Sequence, residues 1–121
     1  MKVRGVRGAI TVNENTSQEI LSATKVLLKQ MMDDNHLVPD DVASIFFSVT
    51  SDLNAEFPAK AARDLGLIHV ALLCMTEIDI PGSLKSCLRI LIHANTDTPA
   101  SEIRHLYLGG ATVLRPDLTR A

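Results

Sequence analysis

The residues of this chain that could do chemistry are few, and most of them are basic. Arg89 interrupts the apolar run Cys87-Leu88-Arg89-Ile90-Leu91-Ile92. Side chains alternate along an extended strand, so Arg89 lies on the face opposite Leu88 and Ile90. Such a guanidinium either sits on the wet face of an edge strand or is aimed into a cavity, where it needs an anionic partner. Arg7 stands between Gly5 and Gly8 in Val3-Arg4-Gly5-Val6-Arg7-Gly8-Ala9-Ile10. That setting fits a bidentate carboxylate clamp and fits a salt bridge equally well. Lys60 and Arg63 are three apart on a short helix and share one face, either around an anion or in water. Glu77 closes Leu73-Cys74-Met75-Thr76-Glu77. Cys74 has the opposite parity from Glu77 in a regular strand, so a bend or bulge is needed for both to face one site. Tyr107 shares parity with Ile103 and His105; its hydroxyl either donates to a ligand or rests at a sheet rim. His36, His69, His93 and His105 show no metal-binding spacing, and there is no GxGxxG, Walker loop or GxSxG. Several cations, one carboxylate, one tyrosine and one thiol suit a small anionic ligand without specifying a reaction.

The elements that must position these groups are legible as periodicities. Residues 2–12 alternate as a strand, with Val6, Gly8, Ile10 and Val12 on one parity and Val3, Arg7, Ala9 and Thr11 on the other. Residues 17–35 predict a helix: Thr16 and Glu19 resemble a capping box, and Ile20, Ala23, Thr24, Leu27, Leu28, Met31 and Met32 form one apolar stripe. Val42 to Thr50 reads as a strand, and Pro58 to Gly66 as a short helix begun by proline and stopped by glycine. Val70 to Ile78, Leu88 to His93 and Ile103 to Leu108 read as further strands, followed by Gly109-Gly110 and Ala111 to Leu114. The order β-α-β-α-β-β-β predicts an α+β fold, a mixed sheet covered by helices on one face. Open strand edges in such a sheet invite pairing with another subunit.

A chain of 121 residues fits one domain, 1–121, with about 112–121 as a C-terminal tail. Aromatics are 3% and tryptophan is absent, so the core must be built from Leu, Ile, Val and Ala. The net charge of −2 argues against a nucleic-acid partner. No apolar run reaches the roughly 20 residues of a membrane helix, and the N-terminus lacks the apolar region of a secretory signal. Cys74 and Cys87 are not in a CxxC pattern, which predicts free thiols in a reducing compartment and hence a cytoplasmic location.

The chain resembles the AroH class of monofunctional chorismate mutases along nearly its whole length. The matching stretches begin with Val3 to Val12, Asn15-Thr16, Phe57-Pro58-Ala59-Lys60-Ala61-Ala62-Arg63 and Leu72-Leu73-Cys74-Met75-Thr76-Glu77. They continue with Pro81 to Leu84, Cys87-Leu88-Arg89-Ile90-Leu91, Asn95-Thr96, His105-Leu106-Tyr107-Leu108 and Leu114-Arg115-Pro116-Asp117-Leu118. The resemblance implies a homotrimer with a β core and active sites between subunits. It implies a cofactor-free Claisen rearrangement of chorismate to prephenate, with no metal. It also implies roles: Arg89 on the ether oxygen and a carboxylate, Glu77 and Cys74 on the ring hydroxyl, and Arg7 with Tyr107 on the enolpyruvyl carboxylate. Phe57, Ala59, Leu73 and Leu114 are then walls, and Lys60, Arg63 and Arg115 supply positive field at the rim. Gly109-Gly110 departs from the charged, helix-favouring residues expected there, which predicts a looser C-terminal lid. The competing readings are a Rid-like trimer that binds small acids or hydrolyses imines, and a purely structural subunit whose basic residues form salt bridges.

Overall fold

The computed structural model describes residues 1–114. Its first element, β1 (Lys2–Thr11), follows the alternation in the sequence. Thr16 then adopts an extended conformation and accepts a hydrogen bond from the Glu19 N–H at 3.1 Å, starting α1 (Ser17–Asp34). Ile20, Thr24, Leu27, Leu28, Met31 and Met32 form its buried stripe. The buried Thr24 hydroxyl is satisfied locally, donating to the Ile20 carbonyl at 2.6 Å. After α1 come β2 (Val42–Val49), α2 (Ala59–Asp64), β3 (Ala71–Thr76), β4 (Cys87–Thr96) and β5 (Leu106–Leu108). The expected β-α-β-α-β-β-β order therefore holds, with 3-10 turns added at Pro39–Asp41, Ala100–Glu102 and Gly109–Val113. Among the described residues no helix is long and apolar enough to cross a membrane.

The strands form one mixed sheet in the order β3-β2-β4-β1-β5. β4 lies at its centre, antiparallel to both β1 and β2, while the short edge strands β3 and β5 run parallel to their neighbours. Val6, Ile45, Phe47, Leu88, Ile90, Ile92 and Leu106 point from one face into the core, where Leu27, Leu28, Met31 and Ala62 of the two helices meet them. Gly8 lies directly beneath α1: a Cβ there would strike Met31 and come within 3.1 Å of Leu27 Cδ1. Both helices cover this face, as the sequence predicts, and among the described residues the opposite face of the sheet carries no α-helix, only the 3-10 turn that seats Ala111.

Two local details depart from the sequence reading. The strand expected over 103–108 begins only at Leu106, because the Asn35 side chain takes both backbone groups of Arg104. Asn35 Nδ2 donates to the Arg104 carbonyl at 2.9 Å and Asn35 Oδ1 accepts from its N–H at 2.8 Å. Those groups are thus withdrawn from the ladder. The Gly109-Gly110 pair has a packing reason: Gly109 has φ 57°, and its Cβ would sit 2.8 Å from Thr11 Oγ1. That hydroxyl accepts from the Gly110 N–H at 2.9 Å. The turn so seated crosses the end of β1 and buries Ala111 against Ala9, Cys87 and Tyr107. Arg115 and the rest of the tail lie outside the described residues.

The contact beneath α1 gives a stability prediction. Gly8→Ala forces the fully buried Met31 and Leu27 to repack and is expected to cost about 1–3 kcal/mol. It should lower the urea midpoint at unchanged m-value, and an unaltered midpoint would show that α1 does not sit this close.

Candidate active site

The sheet register builds the site on the open face. Ala9 on β1 pairs with Arg89 on β4 and with Tyr107 on β5. Arg89 pairs in turn with Ser48 on β2, and Ser48 with Met75 on β3. One row therefore crosses the whole sheet as Tyr107, Ala9, Arg89, Ser48, Met75. The adjacent row is Arg7, Leu91, Phe46, Leu73, and beyond it Gly5 pairs with His93, His93 with Ser44 and Ser44 with Ala71. Ala9 is the small member between Arg89 and Tyr107, which leaves the floor there low. A hollow of about 540 Å³ results, lined by Arg7, Arg89, Tyr107 and Leu114 over a floor that includes Ala9 and Phe46.

Arg89 belongs to the central strand, which removes the edge-strand reading. Its Nε lies 3.0 Å from Glu77 Oε2, with side chains 39% and 30% exposed. The pair is close, yet the buried Nε–H has no acceptor in hydrogen-bond geometry among the described residues. Glu77 is held from three sides. Its own N–H donates to the Val49 carbonyl at 2.8 Å, one step past the end of β3. The Ser48 hydroxyl donates to Oε2 at 3.3 Å and the Ile78 N–H to Oε1 at 3.1 Å. The carboxylate is thus fixed by groups other than the arginine it faces.

The remaining candidates form a second group at the β3 edge. β3 is regular, with no bend to bring Cys74 to the open face. Cys74 packs against the core with the helices, while Leu73 and Met75 are 52% and 44% exposed on the open face. Phe57, Cys74 and Met75 line a separate hollow of about 380 Å³ with residues 53–56. Ala59 is buried in the core through its side chain, leaving only its backbone as a wall. Lys60 Nζ is 3.8 Å from Glu56 Oε1. Glu56 also accepts from the Ser17 hydroxyl at 2.8 Å and from the Phe57 N–H at 3.0 Å, and these bonds, with the nearby Lys60 and Arg63 charges, hold its carboxyl below the usual range. Asn15 fastens the same loop, accepting from the Asn54 and Ala55 N–H groups at 3.0 and 3.1 Å.

One chain therefore brings together Arg7, Arg89, Tyr107, Leu114 and Glu77, and sets Phe57, Ala59, Lys60, Arg63 and Cys74 apart from them. Ser48, Ala9, Phe46, Met75 and His93 belong to the open face and were not singled out by the sequence. Their only signal there is strand parity; membership of a particular row depends on a register that alternation does not encode.

The sequence profile of the family described as chorismate mutase type I matches residues 3–118. The chain is 48% identical over 120 residues to the chorismate mutase AroH of Bacillus subtilis (strain 168), covering 98% of this chain and 94% of that protein. It is also 48% identical over 120 residues to the chorismate mutase AroH of Thermus thermophilus, covering 98% of each. A solved structure of a chorismate mutase from Clostridium thermocellum superposes with a TM-score of 0.89 at 52% identity, covering 90% of this chain and 97% of that one.

The environment of the thiols sets a pH expectation. Burial pushes Cys74 up from the ordinary thiol value, against smaller opposing pulls from the Ala59 backbone and the Arg63 guanidinium. Burial also raises Cys87, with Arg89 opposing. A raised pKa leaves less thiolate, the reactive form, at neutral pH. Iodoacetamide should therefore label both thiols more slowly than free cysteine at neutral pH, the rate climbing only above the ordinary thiol range. Peptide mass spectrometry that finds Cys74 labelled as fast as free cysteine would contradict this placement.

Proposed function

Because this chain belongs to the chorismate mutase type I family, it is an isomerase that converts chorismate to prephenate in aromatic amino acid biosynthesis, and we propose that Arg89 and Glu77 carry its chemistry. The observation that supports this is the Arg89 Nε–H, buried on the central strand with no acceptor in bonding geometry among the described residues, 3.0 Å from a carboxylate that other groups hold in place. The rearrangement is unimolecular. It needs the reactive conformer held and the separating charge stabilised as the ether bond lengthens. Negative charge grows on the ether oxygen, where Arg89 donates, and positive charge grows on the ring, near Glu77, which accepts from the ring hydroxyl. Arg7, with Tyr107, grips the enolpyruvyl carboxylate in the adjacent row. Leu73 and Leu114 are apolar walls.

The active unit in this proposal is a homotrimer with its sheets at the core. Two features support it. The open face carries Leu73 and Met75 at half exposure, beside Phe46 and Leu91, an apolar surface of the kind that a partner covers. The second group of candidates, Phe57, the Ala59 backbone, Lys60, Arg63 and Cys74, lies apart from Arg7 and Arg89 in one chain. A neighbouring copy that presents this group across a cleft completes the enclosure, with Cys74 at the ring hydroxyl and Lys60, Arg63 and Arg115 lending positive field at the rim. The two free thiols accord with a cytoplasmic setting.

Arg89→Ala should fold as the wild type does and lose about a hundredfold or more in kcat, the usual result of removing one preorganised donor. Arg89→Lys should recover little, since a point charge does not reproduce the planar fork. Both are read from the loss of chorismate ultraviolet absorbance, with sedimentation reporting the trimer. Substantial turnover by either variant would remove Arg89 from the central role.

A further inference from the structure

Arg7 is held in place by a side chain that faces neither hollow. The parallel ladder between β1 and β5 pairs Gly8 with Leu106, Ala9 with Tyr107 and Ile10 with Leu108, and goes no further. Continued by one residue it would pair Arg7 with His105. The β5 backbone has already left the ladder there, because Arg104 is bound to Asn35. The Arg7 N–H donates instead to His105 Nδ1 at 2.9 Å. The imidazole thus extends the seam by one bond, at the residue whose guanidinium enters the substrate hollow and beside the strand that carries Tyr107. A ring nitrogen accepts only when it carries no proton, so the form of His105 that makes this bond is the tautomer with its proton on Nε2.

We propose that His105 is a positioning residue: through Nδ1 it holds the Arg7 peptide, and with it the β1–β5 seam, in the geometry that grips the substrate carboxylate. This rests on the carboxylate-binding role given to Arg7 above. A carboxylate is present in substrate and transition state alike, so loosening its grip acts mainly on KM.

The test is a double-mutant cycle on the full chain, using chorismate turnover with His105→Leu, His105→Asn, Arg7→Ala and the double variant Arg7→Ala/His105→Leu. His105→Leu keeps bulk without an acceptor and should lower kcat/KM by about 3- to 10-fold, the range for one hydrogen bond, chiefly through KM. His105→Asn places an oxygen acceptor near the position of Nδ1 and should restore most of the loss. In the Arg7→Ala background, His105→Leu should add nothing, because coupled residues are non-additive. Should His105→Leu fail to fold, His105→Gln, with its acceptor one carbon farther out, takes its place in the same cycle. Equal losses in both backgrounds, no loss at all, or no rescue by asparagine would overturn the inference. An Arg7→Ala variant with wild-type KM would instead overturn the role of Arg7 itself.

Discussion

A guanidinium on the central strand of a sheet leaves only through the face it points from, so whatever meets its charge, water or an anion, has to lie on that face. Arg89 imposes that constraint here. β4 has a neighbour on each side, and the row through Arg89 must supply room, an anion and a hydrogen-bonding environment. Ala9 supplies the room on one side. Ser48 on the other side holds Glu77 at 3.3 Å rather than bonding the arginine itself. The helices can cover only the opposite face, because a helix laid over Arg89 would bury the charge against apolar residues. The one-sided architecture thus leaves Arg89 a largely apolar hollow in which its charge stands out.

The same logic explains why the covered face is so tightly packed. A sheet with helices on a single side gains most of its burial from that side, and the other face adds only the small cluster of Ala9, Cys87, Tyr107 and Ala111. Gly8, beneath Met31 and Leu27, lets α1 approach β1 more closely than any other residue type would allow. The open face contributes little within one chain, and its exposed Leu73 and Met75 add burial only against another surface. A small domain buries proportionally less area than a large one, so the trimer proposed above would add burial that the single chain lacks.

Much of this was legible in the sequence, and the illegible parts share a cause. Alternation put Arg7, Ala9 and Arg89 on faces opposite the apolar residues, and helical spacing identified the buried stripe of α1. Parity also warned that Cys74 and Glu77 face opposite ways in a regular strand, and within one chain they do. What alternation lacks is register. Nothing local says that Ser48 lies beside Arg89, or that Ala9 separates Arg89 from Tyr107. The start of β5 was missed for a related reason: Asn35 captures Arg104 across 69 residues of chain, and no local propensity records that competition. Gly109 illustrates the converse. Its residue type alone speaks only of a weakened helix, and its neighbour Thr11 and its positive φ add a local packing reason for it.

In the role proposed for it, the Arg89–Glu77 pair separates stability from catalysis. Both side chains are more than a quarter exposed in the single chain, and ion pairs screened by water to this degree contribute only about 0–1 kcal/mol. Neither charge is there to hold the fold, and Glu77 would keep its place through Ser48, Ile78 and Val49 without the arginine. With water displaced by the ligand and the neighbouring surface of the proposed trimer, the same charges would act through a lower effective dielectric, and their interaction with developing charge would grow several-fold. Because their positions are set in advance by the sheet and its hydrogen bonds, little reorganisation is needed when that charge appears. A fold that keeps its charges weakly coupled to stability can therefore direct them at the transition state, which is the condition a reaction without a nucleophile or a transferred proton places on its enzyme.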